Sequence, residues 1–138
     1  MKQLLIDTNI VLDLLARRTP FYDEAAGLFS LADKKIVLLS ISAMSLANTH
    51  YVLSRFKSQL EAGKILRDFK VLVQVLPYDN KIADLALNSD FMDFEDAIQY
   101  YTAIENGQDL IITRDHSGFR KSTIPVMSAG EFIRSLAG

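Results

Sequence analysis

A chain of 138 residues, 49% of them apolar, is long enough for one well-filled core and too short for two ordinary domains, so residues 1–138 are expected to form a single domain. The absence of cysteine excludes disulfides and thiolate metal sites and leaves oxygen or histidine nitrogen to hold any metal. A formal net charge of −2 argues against coating nucleic acid non-specifically, which needs many Lys or Arg contacts that release counterions, but it leaves room for a local site.

In chain order, Lys2 leads straight into an aliphatic run at 4–6, a strand, with no signal peptide ahead of it. No apolar stretch approaches the roughly 18 residues of a membrane span. A soluble, cytoplasmic protein without a membrane partner is therefore expected. A short helix is predicted over 10–16, and Phe21, Ala25, Leu28, Phe29 and Ala32 mark the core face of a second. A strand is expected at 36–39. The helix after it carries a stripe of Met44, Ala47, Tyr51 and Val52, with Asn48 on the same side and expected to point inward toward the sheet edge. Ala62, Ile65, Leu66 and Phe69 mark another core face, followed by a strand at 72–76. A helix opens near Asp93 and is closed by Gly107. Strands follow at 110–113 and 125–127, and Ser128 with Glu131 forms a capping-box pattern ahead of Phe132, Ile133 and Leu136. Short aliphatic runs alternating with helical segments predict an α/β fold with a largely parallel sheet covered by helices. No repeat, low-complexity tract or linker divides the chain.

The acids are the informative residues. Asp7 directly follows the first strand and Asp115 follows the fourth, both at carboxyl ends, the edge where open α/β sheets bind ligands. Asp96 lies in the first turn of its helix, where the helix dipole favours an ionised carboxylate. Each acid alone also has a structural explanation, as an N-cap or a first-turn residue. If the strands are adjacent, three carboxylates converge within a few ångströms, and their repulsion calls for a cation. Oxygen-only ligation suits Mg2+ or Mn2+, which acidify a bound water and stabilise charge on a phosphodiester in reaction. Of Asp13, Asp93 and Glu95, at most one is expected near the site, with solvation or capping for the others.

Other chemistries find less support. Neither His50 nor His116 belongs to a catalytic triad, although His116 follows Asp115 and is a possible phosphate contact. The six glycines form neither a P-loop nor a G-x-G-x-x-G fingerprint, so no nucleotide cofactor is expected. A phosphatase using Asp7 as phosphate acceptor would want a second aspartate two residues on, where Asn9 stands.

Asp7-Thr8-Asn9 after the first strand, Asp93-Phe94-Glu95-Asp96-Ala97 opening a helix, and Thr113-Arg114-Asp115 after a late strand together resemble the signature of PIN domains. Order and spacing match over essentially the whole chain, and the length resembles that of VapC-like toxins of toxin–antitoxin pairs. The resemblance implies a three-layer α/β/α sandwich around a mainly parallel sheet of about five strands. It further implies a metal-dependent endoribonuclease in which Asp7 and Asp96 hold the main ion, Asp115 completes the cluster, and Thr113 and Asn9 orient ligands or the attacking water. The family usually carries a further acid where this chain has Asn48. An amide there offers a carbonyl oxygen to a metal or a metal-bound water, or else a structural bond to Asp7 or backbone, but no charge. A PIN-like module that binds RNA or a protein without cutting is therefore the alternative to an active nuclease.

On the nuclease reading, water attacks an RNA phosphodiester and leaves a 5′-phosphate and a 3′-hydroxyl. RNA is expected to be bound by Arg114 and by whichever of the pairs Arg17/Arg18, Arg55/Lys57 and Arg120/Lys121 flank the acidic edge. The resemblance also implies a homodimer and a small antitoxin whose tail covers the acidic cleft.

Overall fold

The structure, a computed structural model, describes residues 1–137. Among these, five parallel strands, β1 (Lys2–Ile6), β2 (Val37–Ser42), β3 (Val73–Leu76), β4 (Leu110–Ile112) and β5 (Val126–Met127), form one sheet in the order β3-β2-β1-β4-β5. The helices are α1 (Thr8–Leu15), α2 (Tyr22–Asp33), α3 (Ala43–Phe56), α4 (Gln59–Phe69), α5 (Asn80–Leu87), α6 (Phe94–Glu105) and α7 (Ala129–Ala137). A 3-10 turn covers Ser117–Phe119. Among the described residues, no helix is long and apolar enough to cross a membrane.

The last three residues of β1, Leu4, Leu5 and Ile6, are aliphatic and wholly buried because both faces of the sheet are covered there. Side chains alternate across a strand. Leu4 and Ile6 accordingly enter a core with Ile10 and Val11 of α1, Leu28 and Phe29 of α2, Leu66 and Phe69 of α4 and Phe132 of α7. Leu5 points the other way, into a cluster with Tyr100 and Ala103 of α6, Ile111 and Phe119. This is the expected three-layer α/β/α sandwich. The predicted strands all form, and β2 runs longer than the expected 36–39, through Ser40, Ile41 and Ser42, which are wholly buried. The two serines interrupt the aliphatic signal. Helix α5 lies outside the predicted elements although its start is marked, with Asp79 Oδ1 accepting from the Ile82 amide at 3.0 Å.

The expected helix ends are present. Asp93 caps α6 by accepting from the Asp96 amide at 3.0 Å, and Gly107 closes it at φ +63° with the Gln108 amide bonded to Ala103 O. Ser128 and Glu131 complete a reciprocal capping box, each side chain accepting from the other's amide, at 2.8 and 3.1 Å.

One helix face is turned differently from expectation. The inward side of α3 is Ser45, Thr49 and Leu53, whereas Ala47 is exposed and Tyr51 is 61% exposed. Met44 leaves the sheet layer and packs on Ile82, Ala86, Ala97 and Ile98 of α5 and α6. The periodicity was right and the phase was not. Ser45 faces inward to polar partners, Thr8 Oγ1 and Gln99 Nε2, that hydropathy alone cannot see, whereas the buried Thr49 hydroxyl has no hydrogen-bond partner.

Candidate active site

The chain runs from β1 outward through β2 and β3, then crosses back to place β4 on the other side of β1. The carboxyl ends of β1 and β4 therefore flank a topological switch point, where open α/β sheets leave a crevice. The first residue past β1 is Asp7, whose amide continues the ladder by donating to Ile112 O at 2.9 Å. The first residue past β4 is Thr113. Adjacent parallel strands thus bring residues 106 apart in sequence into contact, with Thr113 Oγ1 donating to Asp7 Oδ2 at 2.7 Å.

Asp7 is 8% exposed and held by three donors. Besides Thr113, the Thr8 amide donates to Oδ1 at 2.8 Å and Gln99 Nε2 donates to Oδ1 at 3.1 Å. Burial pushes its carboxyl up from the ordinary range, against the opposing pull of these hydrogen bonds and with some help from the Asp115 charge. Thr113 Oγ1 also accepts from the Asp115 amide at 3.0 Å, and Asn9 Nδ2 approaches it at 3.5 Å. Thr113 is thus the direct partner of Asp7, and Asn9 reaches the site through Thr113.

Asp7, Asp93, Glu95, Asp96 and Asp115 line one open cleft of about 240 Å3 together with Thr8, Met44, Asn48 and Gln99. Among the described residues lining it, none is basic. Asp96 is pushed up to about 7, first by burial and then by the charges of Asp93, Asp7, Asp115 and Glu95. The expectation that at most one of Asp13, Asp93 and Glu95 lies near the site needs correction. Asp93 and Glu95 both line the cleft, because the first turn of α6 points its end at the crevice and successive residues fan around it. Asp13 is neither solvated nor a cap. It is wholly buried in α1 and carries a two-point ion pair from Arg114, with Nε to Oδ2 at 2.8 Å and Nη2 to Oδ1 at 3.1 Å.

That pair also redirects Arg114. Its guanidinium is stacked 3.8 Å from the centre of the Phe21 ring and gives two donors to Asp13, which ties it to α1 while its side chain stays 31% exposed. Asn48 does line the cleft, but its amide nitrogen donates to Glu95 Oε1 at 2.9 Å rather than engaging Asp7 or backbone. His116 stands 3.2 Å from Glu131 Oε1.

Three residues that carry no motif of their own also belong to the site. Gln99 is 1% exposed and bridges Asp7 and Ser45 Oγ, the latter at 2.7 Å. Its signal was its place three residues after Asp96, on the same helix face. Ser45 sits beneath it, bonded to Thr8 Oγ1 at 2.7 Å and to the Ser42 cap. Gly118 is the third. A Cβ there would overlap Asp96 Oδ2 and stand 2.9 Å from Asp115 Oδ2, so the two carboxylates close over its bare α-carbon. Asp115 Oδ1 is anchored in the same turn by Ser117 Oγ at 2.8 Å and the Gly118 amide at 3.2 Å. Gly118→Ala should misplace both acids by about an ångström and lower any activity of the cleft roughly 100-fold. Circular dichroism should show the fold retained. Unaltered kinetics would show that the acids need no such approach.

The convergence of Asp7, Asp96 and Asp115 is looser than expected. They share one cleft and one field, yet among the described residues no three His, Asp or Glu side chains close into a ready metal cage. Asp7 is pinned at the floor by its donors, and the other two sit against Gly118. The donor set nonetheless fits a hard divalent cation. It is all oxygen and strongly anionic, and Gln99 Oε1 is a buried polar atom with no partner beside it.

A stability test follows from Asp96. Its unfolded value of 3.8 lies below its folded value of about 7, so the unfolded chain releases the proton first and stability is lost as pH rises between those values. Urea denaturation in EDTA should find Asp96→Asn more stable than the parent at pH 8, with the gap closing toward pH 4. A gap that widens toward low pH would contradict this charge arrangement.

A twisted parallel sheet with a carboxylate-lined switch point, and with Asp7, Asp96 and Asp115 in its first-strand, helix-start and fourth-strand positions, defines a class of acid-site α/β proteins. The sequence profile of the PIN domain matches residues 3–117, and the chain belongs to that family. It is 28% identical over 140 residues to "Ribonuclease VapC1" of Aquifex aeolicus (strain VF5), covering 95% of this chain and 93% of that one. Its fold is similar to FitAcB from Neisseria gonorrhoeae, with TM-score 0.72, 15% identity, and 92% and 98% of the two chains covered. A toxin–antitoxin complex from Klebsiella pneumoniae is similar at TM-score 0.67 and 21% identity, covering 91% and 97%.

Proposed function

We propose that the chain is a metal-dependent ribonuclease that hydrolyses RNA phosphodiester bonds, as the toxin of a VapBC-like pair. The observation that carries this reading is the cleft, where five carboxylates and no basic residue meet at the switch point of the sheet. The similarity to a named ribonuclease over 95% of the chain supports it.

Asp7 and Asp96 would hold the ion, with Asp115 contributing directly or through water. Mg2+ or Mn2+ suits these donors, and when bound it would neutralise the acids and make water a competent nucleophile near neutral pH. Thr113 and Gln99 fix both oxygens of Asp7, and Gly118 lets Asp96 and Asp115 approach. Asn48 supplies no charge but anchors Glu95, whose carboxylate lines the same cleft. That anchor argues against the alternative of a PIN-like module that binds RNA or protein without cutting. A small antitoxin and a homodimer complete the proposal. Leu28 and Phe29 of α2 and Leu66 and Phe69 of α4 pack into the protein's own core, so the inner faces of these helices are not open to a second copy.

The deciding experiment incubates end-labelled structured RNAs with the protein in Mg2+, Mn2+ or EDTA and maps the ends produced. Cutting with either metal, none in EDTA, and 5′-phosphate with 3′-hydroxyl products are expected. Cyclic 2′,3′-phosphate ends would mean the ribose attacks and would remove the metal–water mechanism. No cutting by folded, inhibitor-free protein would favour the binding module.

A further inference from the structure

Beside the acidic cleft lies a second pocket of about 260 Å3 that shares Asp93 with it and has Gly118 on its wall. Its wall is largely apolar, from Phe91 and Met92, while Arg120 and Lys121 stand at its margin with Asp90. Two features separate it from an ordinary surface dimple. Met92 is fully exposed, which core packing does not explain. Phe91 is packed among aromatic rings, its own 5.0 Å from that of Tyr100 at 30° and 6.4 Å from those of Tyr101 and Phe119.

A packed aromatic platform with a free thioether beside it, and two cations at the rim, matches the chemistry of one nucleotide. The base stacks on an apolar face and the phosphate meets Lys and Arg. The volume lies below the roughly 300–1,000 Å3 of pockets that take whole drug-sized ligands, which suits a single base. Continuity through Asp93 and Gly118 sets that base next to the phosphate that would react.

We propose that the Phe91–Met92 pocket is a nucleobase subsite for the RNA nucleotide adjoining the scissile phosphate, with Arg120 and Lys121 taking a neighbouring phosphate. This rests on the ribonuclease reading of the acidic cleft. Asp90, an acceptor when ionised, would favour bases that present donors, guanine through N1–H and N2–H2 and then cytosine through N4–H2.

The test measures binding in EDTA, where cutting does not intrude. Fluorescence anisotropy compares a labelled mixed-sequence RNA octamer with its abasic counterpart, which keeps every phosphate. Wild type should bind the base-bearing strand about tenfold more tightly. Met92→Ala, at a fully exposed position and so safe for the fold, and Phe91→Leu, which keeps an apolar side chain there, should shrink that ratio toward one. Arg120→Gln with Lys121→Gln should weaken both strands alike and flatten the salt dependence. Equal binding of the two strands by wild type, or a ratio unmoved in Met92→Ala and Phe91→Leu, overturns the subsite. So does an outcome in which those variants bind RNA normally but lose a co-purifying protein partner, because the pocket would then belong to a protein interface. Cleavage is scored separately. Base-dependent binding without cutting keeps the subsite and removes the nuclease, and cutting without base dependence does the reverse.

Discussion

Asp7→Asn will lower metal-dependent RNA cleavage on the order of 10³-fold and, in EDTA, raise the melting temperature. The activity loss follows from deleting the charge of the acid that is 8% exposed, oriented by Thr113, Thr8 and Gln99, and set at the floor of the cleft. The stability gain follows from the sign of the Asp7 shift. Burial raises its folded value above 3.8, so at pH above that value the unfolded chain releases the proton more readily and the buried carboxyl costs stability, which an amide does not. Adding Mg2+ should raise the melting temperature of the parent and leave the variant nearly unmoved. Calorimetry beside a cleavage assay checks all of these. A variant that melts lower in EDTA, or cuts as well as the parent, would remove Asp7 from the role assigned to it.

Arg114→Met should cost about 3–5 kcal/mol of stability, because it strands the Asp13 carboxylate at 0% exposure with no counter-charge. For a chain of this length the melting temperature should drop by roughly 10–20 °C. Joining it to Asp13→Asn should recover much of the loss, since neither partner is then left charged and buried. The same variant separates two roles for Arg114. A phosphate contact would lower the slope of RNA affinity against salt by about one unit when lost. A clamp that ties the Thr113–Asp115 segment to α1 and the Phe21 ring predicts an unchanged slope. Thermal melts below the transition of the variant, paired with a salt titration, decide between them.

How far the site could be read in advance depends on the distance over which each signal acts. Asp7, Asp96 and Thr113 were legible because each has a local marker: a strand end, a helix start, a strand end again. That Asp7 and Asp115 gather at one edge was also legible, since parallel strands share a carboxyl edge, although the three acids stand further apart than expected. Gln99 was within reach through its three-residue spacing from Asp96. Gly118 was not, because what demands glycine there is the approach of a carboxylate from α6, 22 residues away in the chain. The phase of α3 was lost for a similar reason. Hydropathy favours Met44 and Tyr51 as the inward residues, yet Ser45 and Thr49 turn in, and the hydroxyl and amide partners of Ser45 lie on α1 and α6.

The residues of this chain by themselves determined the three-layer α/β pattern, the five strands, the caps of α6 and α7, and the edge of the sheet where the acids gather. Those features are written in periodicity, in turn and cap chemistry, and in the aliphatic runs of a sheet covered on both faces. Tertiary structure alone decided the partners of the polar and charged side chains. Arg114 paired with the buried Asp13 while staying partly exposed, Asn48 turned to Glu95 rather than to Asp7, and Glu95 and Asp93 into the cleft. The physical reason is one of range. An apolar side chain needs only some covered surface, which its neighbours along the chain announce, whereas a buried charge or amide needs a particular partner, and only the crossing of the chain brings that partner near.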